Sequence, residues 1–512
     1  MPPKKPFKVP RFPKKQQHQQ PSKSSQPTTP AEHLEHAISL EEQGDRWIIS
    51  DLSKTLRFYQ QAYDAYQIAA TSVGEVDAWY NYLRLLYHVH VTYKDVPPVV
   101  LTSVEGCIVH QMSLMDVKRE YERVINGMFN GWLNWECGFN EALICLEMLE
   151  DEIVPRDKLL SVVEESVVLV KKVLDYQLSE LDSFIKRMEN NDENESSYEP
   201  TQQEEEEATE TDEQEEYQMF EQVTPESVME TITTGYKIVQ AAFEYCDDRE
   251  QINVLLQGLT SFIQDTLKPS ADLIISKFDP ESHPNDSLQL NIDKDDIVQL
   301  RLTEWCIQAL LISDFTQFST HWSQCPVPIS TDRHLAEADS LENFMSLGKH
   351  NSEEIWSIIT RINQCLKSAQ ELLKIELDEQ RANKTADVSP KVSKIVQVLI
   401  NRADNELIRS ELKDYEPSVK NSQVLRQNSI NLLKSGLNTS QSNVGLRETV
   451  GDKLKREKLR RECIVRLVLL TKESVNKEDF IRNLGESYWR KEVEDLGTLD
   501  VYRYALSQVQ DS

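Results

Sequence analysis

Glycine is scarce in this chain, and the scarcity limits the folds that the chain can adopt. Only 14 of the 512 residues are glycine. Tight β-hairpin turns usually need glycine, or an Asn-Gly pair, because their backbone adopts positive φ. The middle and the end of the sequence are instead rich in Leu, Glu, Gln, Lys and Ala, which favour helices. We therefore predict an all-α fold.

Apolar residues recur every three or four positions along most of the sequence, which is the pattern of helices that bury one face. The first clear case follows Asp51, a residue suited to cap a helix, and its apolar positions are Leu56, Tyr59, Ala62, Tyr63 and Tyr66. Helices begin near residue 31, so the helix after Asp51 is the second, and a third starts near Asp77. A looser section is expected at 269–294. Further helices are predicted at 114–129, 141–149, 158–188, 225–245, 249–267, 295–313, 334–347, 353–382, 389–412, 416–436, 446–472 and 477–508. Short loops between them predict antiparallel helix pairs.

Two polar segments interrupt this pattern. The first 30 residues contain eight prolines and seven Lys or Arg, without any acid, and residues 189–216 contain fourteen acids without any base. Such segments bury too little apolar surface to offset the entropy of ordering, and like charges repel. We therefore predict a disordered basic tail at 1–30, a helical block at 31–188, an acidic disordered loop at 189–223 and a C-terminal helical block at 224–512.

Small and aromatic residues stand at fixed steps between residues 44 and 91. An Ala lets two helices approach closely, and aromatic rings fill the gaps between neighbours. The residues concerned are Asp51-Leu52-Ser53-Lys54-Thr55, Phe58-Tyr59, Ala62, Ala78-Trp79-Tyr80-Asn81-Tyr82-Leu83 and Tyr87, with a second match at Gly138-Phe139-Asn140-Glu141-Ala142, Leu146, Leu149 and Pro155. This pattern resembles tetratricopeptide repeats, which are helix-turn-helix units of 34 residues.

The resemblance covers roughly residues 35–155 and implies a solenoid of stacked helix pairs that binds other proteins. The first unit is longer than the family's repeat. Some members of the family hold acidic peptide tails with Lys, Asn and Arg on the concave face. Asn81 matches one of those positions, but Leu40 and Gly44 stand where the Lys and the Asn are expected. We therefore do not predict that clamp.

No segment has a pattern typical of a catalytic or cofactor site. The chain lacks a glycine-rich phosphate-binding loop and a Gly-x-Ser-x-Gly turn. None of its eight cysteines forms a Cys-x-x-Cys pair, as expected of reduced core residues. His321 and Cys325 are four residues apart, but Pro326 follows at once. We predict no cofactor, no metal and no enzyme activity, although an enzyme with residues scattered along the sequence is a third option.

Two basic clusters stand out in this acidic chain. The tail cluster could be a nuclear import signal or a generic basic tail, and it contains Lys4, Lys5, Lys14 and Lys15. The second lies on a predicted helix and contains Lys453, Lys455, Arg456, Lys458, Arg460 and Arg461. It could be a solvated helix face, a contact for phosphate or RNA, a second import signal, or a dock for the acidic loop of the same chain.

The net charge of −30 repels nucleic acid and anionic membranes. We therefore predict no membrane partner, and nucleic acid only through the basic tail or the basic helix. No apolar run is long enough to span a bilayer, and the first ten residues lack the apolar region of a secretory signal. The expected location is the nucleus, the cytoplasm or both.

Other proteins are the predicted partners. In the first hypothesis the chain is a scaffold or adaptor subunit, because helix arrays form grooves that recognise peptides. Tyr80, Asn81 and Arg84 are then the candidate contacts, on a turn expected to face a groove. In the second hypothesis the chain is an acidic assembly chaperone for a basic client, such as a ribosomal protein or a histone. Only the second predicts strongly salt-dependent binding.

Overall fold

The computed structural model describes residues 27–48, 50–73, 76–94, 96, 106–195, 222–279, 291–382, 387–445, 448–471, 474–497 and 502. Within these ranges every regular element is helical, which confirms the all-α prediction. The first ten helices are α1 (Pro30–Trp47), α2 (Leu52–Val73), α3 (Val76–Tyr93), α4 (Leu114–Met128), α5 (Trp135–Glu150), α6 (Leu159–Glu195), α7 (Pro225–Glu244), α8 (Arg249–Ser261), α9 (Lys268–Phe278) and α10 (Lys294–Leu310). The others are α11 (Phe315–Ser323), α12 (Thr331–Ser346), α13 (Ser352–Ala382), α14 (Ser389–Ser410), α15 (Glu416–Ser440), α16 (Val450–Thr471), α17 (Ser474–Leu484) and α18 (Glu486–Leu496).

The helices pack mainly on their neighbours in the sequence. α1 packs on α2 and α2 on α3, and the same order continues through α7. α7 then packs on α10, and α10 on α12, from which the order resumes through α18. α14 also contacts α16 directly. Several connections inside this order are short, as between α1 and α2, whereas the one between α3 and α4 runs from residue 94 to residue 113.

The buried core continues across the acidic segment that separates α6 from α7. These two helices pack against each other. Buried side chains from both sides of the segment belong to one cluster, which runs from Ala37 to Leu310. α10 then connects two cores, since its Leu300 belongs to the first and its Leu302 to the second. The core therefore has no gap at the boundary that we predicted near residue 224.

Capping residues explain where several helices start. The hydroxyl of Thr224 accepts a hydrogen bond from the backbone N–H of Ser227, and Pro225 stands in the first turn of α7. Proline fits there because the first turn leaves its backbone N–H groups unpaired in any case. Asp51 likewise accepts a hydrogen bond from the N–H of Lys54 at 2.9 Å. Both predicted helix starts are confirmed.

Some predicted helix bounds were wrong. α5 begins at Trp135 instead of residue 141, because the side chain of Asn134 caps an earlier start. The section expected to be looser contains α9, which continues α8 through a π-helical turn at Phe262–Leu267, so that Pro269 lies within a longer helix. The last predicted helix is divided at Gly485, where φ is 90° and a helix cannot continue.

Two further helices differ from prediction. α6 extends to Glu195, beyond residue 188 and into the segment that we predicted as acidic loop. α11 was not predicted. It is a nine-residue helix, capped by Asp314, whose side chain accepts a hydrogen bond from the N–H of Gln317 at 2.8 Å. Its apolar face is short, so its periodicity is weak.

α1 and α2 approach each other closely at Gly44. A Cβ atom on this residue would lie 2.7 Å from a ring carbon of Tyr59. Tyr59 is fully buried, so its ring has little room to move aside. Thr55 donates a hydrogen bond from its hydroxyl to the carbonyl oxygen of Gly44 at 3.3 Å. The two small residues therefore allow the tight packing of this helix pair.

Within the described residues, no helix combines the length and the apolar character needed to cross a bilayer.

Candidate protein-binding surfaces

The three residues predicted to contact a partner lie on α3, but in different environments. Tyr80 and Asn81 are half-buried, and the side-chain amide of Asn81 donates to the carbonyl oxygen of Asp77 at 2.8 Å. Arg84 is buried, with only 7% of its surface exposed. It therefore points into the helix array, whereas Tyr80 and Asn81 retain some exposure. A role of these residues in binding stays a prediction.

Arg84 forms a buried ion pair with Glu41 of α1. Its Nη2 atom lies 2.6 Å from Oε1 and 2.7 Å from Oε2 of the carboxylate. The hydroxyl of Tyr66 on α2 donates to the same carboxylate at 2.8 Å. Burial acts to lower the pKa of Arg84, but Glu41 and Tyr66 outweigh it, and the net pKa is raised. The guanidinium thus stays charged and joins α1, α2 and α3.

A second set of polar groups extends this network. The hydroxyl of Tyr59 donates to Asp45 at 2.6 Å. Burial raises the pKa of Asp45, and the hydrogen bond from Tyr59 opposes that shift. Burial lowers the pKa of His88, with Arg84 acting in the same direction. These groups hold one another inside the first three helices, which is the arrangement of a structural network.

The basic helix predicted at 453–461 lies in α16, and its charges are distributed unevenly. Lys453 and Lys455 are exposed. Arg456 forms a two-pronged ion pair with Glu448, with N–O distances of 2.8 and 2.9 Å. Arg461 is buried, and its guanidinium lies 5.8 Å from the ring centre of Tyr488. The exposed basic surface is therefore smaller than the sequence indicates.

The other two residues of this helix lie between these extremes. Lys458 and Arg460 are half-buried, and Arg460 contacts Glu457 at 3.4 Å. Further along α16, Arg466 is held by Asp404 of α14 at 3.0 Å. Much of the positive charge of α16 thus joins it to neighbouring elements of the same chain. The proposed contact with the acidic loop concerns residues 196–221, which lie outside the described residues, and it stays a prediction.

Acidic side chains of three helices act electrostatically on one another: Asp339 on both Glu244 and Glu342, and Glu150 on Glu244. They belong to α5, α7 and α12, and they are Glu150, Glu244, Asp339 and Glu342. We call this group the junction carboxylates. An Oε1 atom of Glu244 accepts hydrogen bonds from Gln240 and from Asn343, each at 2.9 Å. The second bond joins α7 to α12.

Burial and mutual repulsion shift the titration of the junction carboxylates. Burial raises the pKa of Glu244 to about 7, against the hydrogen bond from Gln240, and the charge of Asp339 adds to the rise. Burial also raises the pKa of Glu342 to about 7, again with a contribution from Asp339. A cation placed beside these groups would relieve both effects. They are therefore a candidate contact for Lys or Arg side chains of a partner.

Sequence reasoning missed the junction carboxylates. They are acids among 86 Asp and Glu residues, and up to 192 positions separate them in the sequence, from Glu150 to Glu342. No spacing pattern marks such a group, because it depends on how α7 and α12 both pack on α10. The four tail lysines that we predicted as an import signal, Lys4, Lys5, Lys14 and Lys15, lie outside the described residues.

Comparison with known proteins gives similarity without a function. A family model described as the YNL193W C-terminal domain matches residues 324–491, which extend from the end of α11 into α18. The chain is also similar to the uncharacterized protein YNL193W of Saccharomyces cerevisiae, with 23% identity over 511 aligned positions that cover 86% of this chain and 90% of that protein. No solved structure matches the chain.

Proposed function

We propose that this chain is a non-enzymatic scaffold or adaptor subunit of a nuclear or cytoplasmic complex. The observation that carries the proposal is the packing order, in which helices contact mainly their neighbours in the sequence. A chain built in this way gains binding surface with each added helix pair, as α-solenoids do. The exposed faces then suit extended or helical peptides.

We further propose that α1 to α5 form tetratricopeptide-like units. The close approach of α1 and α2 at Gly44 and Thr55 supports this arrangement, since the resemblance requires small residues where two helices meet. The candidate contacts on this block are then Tyr80 and Asn81. Arg84 would act indirectly, because its pairing with Glu41 fixes the orientation of α3.

A second candidate function is an assembly chaperone for a basic client, such as a ribosomal protein or a histone. The junction carboxylates favour it, because burial and the charge of Asp339 raise the pKa of Glu244 and of Glu342. Cations of a partner would stabilise the ionised forms. The overall charge of −30 acts in the same direction at longer range.

One capture experiment separates the two functions. The tagged full-length protein is compared with a Glu244→Gln/Glu342→Gln variant and with a Glu250→Gln variant, whose carboxylate is exposed on α8. A scaffold keeps the same partners in all three proteins at low and high salt. A chaperone loses its basic partners at high salt. At low salt, it loses them in the Glu244→Gln/Glu342→Gln variant and keeps them in the wild type and in Glu250→Gln. Recovery of no reproducible partner under any condition would refute both functions.

A further inference from the structure

Three side chains of the kinds that bind zinc lie together between α12 and α13. His334 and Glu337 are three residues apart on α12, and therefore share one face of the helix. Cys365 projects from α13, which packs on α12. One possible ligand atom from each residue lies within 4.8 Å of the other two. Cys365 and Glu337 are buried, with 2% and 5% of their surfaces exposed, while His334 is half-buried.

The imidazole of His334 provides an independent observation. Its Nδ1 atom is buried and has no hydrogen-bond partner among the described residues. A buried polar atom without a partner is costly, and most such atoms in proteins have one. His334 as a whole is only half-buried, so solvent reaches part of this residue.

The carboxylate of Glu337 is already oriented. Arg361 of α13 donates from Nε to Oε1 at 2.7 Å, and its Nη2 atom lies 2.6 Å from the same oxygen. The Oε2 atom is not used by this pair. Carboxylates that bind metals are commonly held by such an outer hydrogen bond. Without a metal, the thiol of Cys365 is a hydrogen-bond donor to Glu337.

We propose that His334, Glu337 and Cys365 form a zinc-binding site. One nitrogen, one oxygen and one sulfur suit Zn²⁺, which accepts all three donor types, whereas Mg²⁺ and Ca²⁺ require oxygen donors. Tetrahedral Zn²⁺ with bonds of about 2.0–2.3 Å holds its ligands roughly 3.3–3.7 Å apart. Since the three donors lie within 4.8 Å of one another, each pair needs to approach by no more than about 1.5 Å, which side-chain rotation can supply.

Binding at this site changes the proton content of the protein. The thiol of Cys365 gives up its proton to solvent as the zinc–sulfur bond forms, and its hydrogen bond to Glu337 is lost. With three protein ligands, one position of the tetrahedron remains for water or an outside ligand. The metal would join α12 to α13 inside the region of the YNL193W C-terminal domain match. The site does not depend on the proposed scaffold or chaperone function.

The test measures metal content and the spectrum of a cobalt substitute. The full-length protein is purified without chelators, its zinc is measured by mass spectrometry, and Co²⁺ is added after the zinc is removed. We expect about one zinc per chain and a sulfur-to-cobalt charge-transfer band in the near ultraviolet. Both should be lost in Cys365→Ser, and zinc affinity should fall at least 10-fold in His334→Gln.

The controls are Cys325→Ser and His350→Gln, which alter a cysteine and a histidine outside the cluster. Both controls should keep the metal and the cobalt band. Circular dichroism identifies any variant that fails to fold, and His334→Gln, at a half-buried position, gives a second measurement if Cys365→Ser does so. The proposal is overturned if the wild type shows no thiolate–cobalt band, or if Cys365→Ser and His334→Gln bind zinc as tightly as the controls.

Discussion

Arg84 shows how one buried charge depends on its partner. The spacing of apolar residues predicts that Arg84 lies on a helix. Nothing in the sequence indicates that its partner is Glu41, which lies 43 positions away. The side chains of Arg84 and Glu41 are only 8% and 11% exposed, so water could solvate either charge only poorly if its partner were removed. A pair in this environment is costly to break from one side, because the remaining charge stays buried.

We expect Arg84→Met to lower the free energy of unfolding by about 3–5 kcal/mol, because it leaves the carboxylate of Glu41 buried without its cation. Urea unfolding followed by circular dichroism measures the change. The double variant Glu41→Met/Arg84→Met should recover part of the loss, since both charges are then absent. Recovery should be incomplete, because the hydroxyl of Tyr66 loses its acceptor. A double variant as unstable as the single one would contradict this explanation.

The contact at Gly44 leads to a second prediction at this scale. Gly44→Ala places a Cβ atom 2.7 Å from the buried ring of Tyr59, so we expect a loss of about 1–3 kcal/mol by thermal unfolding. Gly258→Ala is the matched control, since a Cβ atom at this position in α8 meets nothing within 4 Å. The control should gain about 0.5–1 kcal/mol from the better helix propensity of alanine. If Gly44→Ala and Gly258→Ala changed the stability equally, α1 and α2 could move apart at Gly44 without loss of stability.

At the scale of elements, the sequence predicts a helix start well where a capping residue precedes the apolar pattern. Asp51 and Thr224 mark starts through a hydrogen bond that forms within three residues. The end of α6 is not marked in this way. The helix continues to Glu195, although its last residues are rich in acids. α9 was missed because proline usually indicates a break, whereas the helix here continues into Pro269 through the π-helical turn at Phe262–Leu267.

The direct packing of α6 on α7 leads to a prediction about the segment between them. Replacing residues 196–221 with a Gly-Ser sequence of equal length should change Tm by no more than about 2 °C. The cost of closing a loop depends mainly on its length, which this exchange keeps, and the core on both sides is shared. Differential scanning calorimetry gives the value. A large fall in Tm would mean that the natural segment itself stabilises the helices.

At the scale of the whole molecule, two of the junction carboxylates, Glu244 and Glu342, link the stability of the protein to pH. Glutamate has an ordinary pKa near 4.5, and burial raises the pKa of Glu244 and Glu342 to about 7. The folded protein therefore binds more protons than the unfolded chain between about pH 4.5 and 7. The stability contributed by these protonated carboxyls is present below that window and is lost as the pH rises through it.

Glu342→Gln should therefore be more stable than the wild type at pH 8, by about 1–3 kcal/mol, because glutamine cannot ionise in the buried site. The difference should close as the pH falls toward 4.5. Chemical unfolding at a series of pH values measures it, and Glu250→Gln, at an exposed position, serves as the control with a constant offset. A difference that does not depend on pH would show that Glu342 titrates as an ordinary carboxyl.

The fold class could be predicted from glycine scarcity and helical spacing because both are local properties of the chain. Sites formed by several helices could not. The proposed zinc ligands come from two helices and span 32 residues, from His334 to Cys365. The junction carboxylates come from three helices. Their positions depend on which helix faces meet, and apolar periodicity does not determine that pairing. Arg84 illustrates the same limit, since periodicity cannot tell a polar side chain in a network from one at a groove.

The shared core of α6 and α7 also means that the peptide chain between them is not what keeps the two sides together. If a protease cut the acidic segment, the fragments before and after it should stay associated through the same buried cluster. Two polypeptides produced separately, one ending after α6 and one starting before α7, should then complement each other and assemble at equimolar ratio. This segment would also accept an inserted reporter domain with little effect on the rest of the protein.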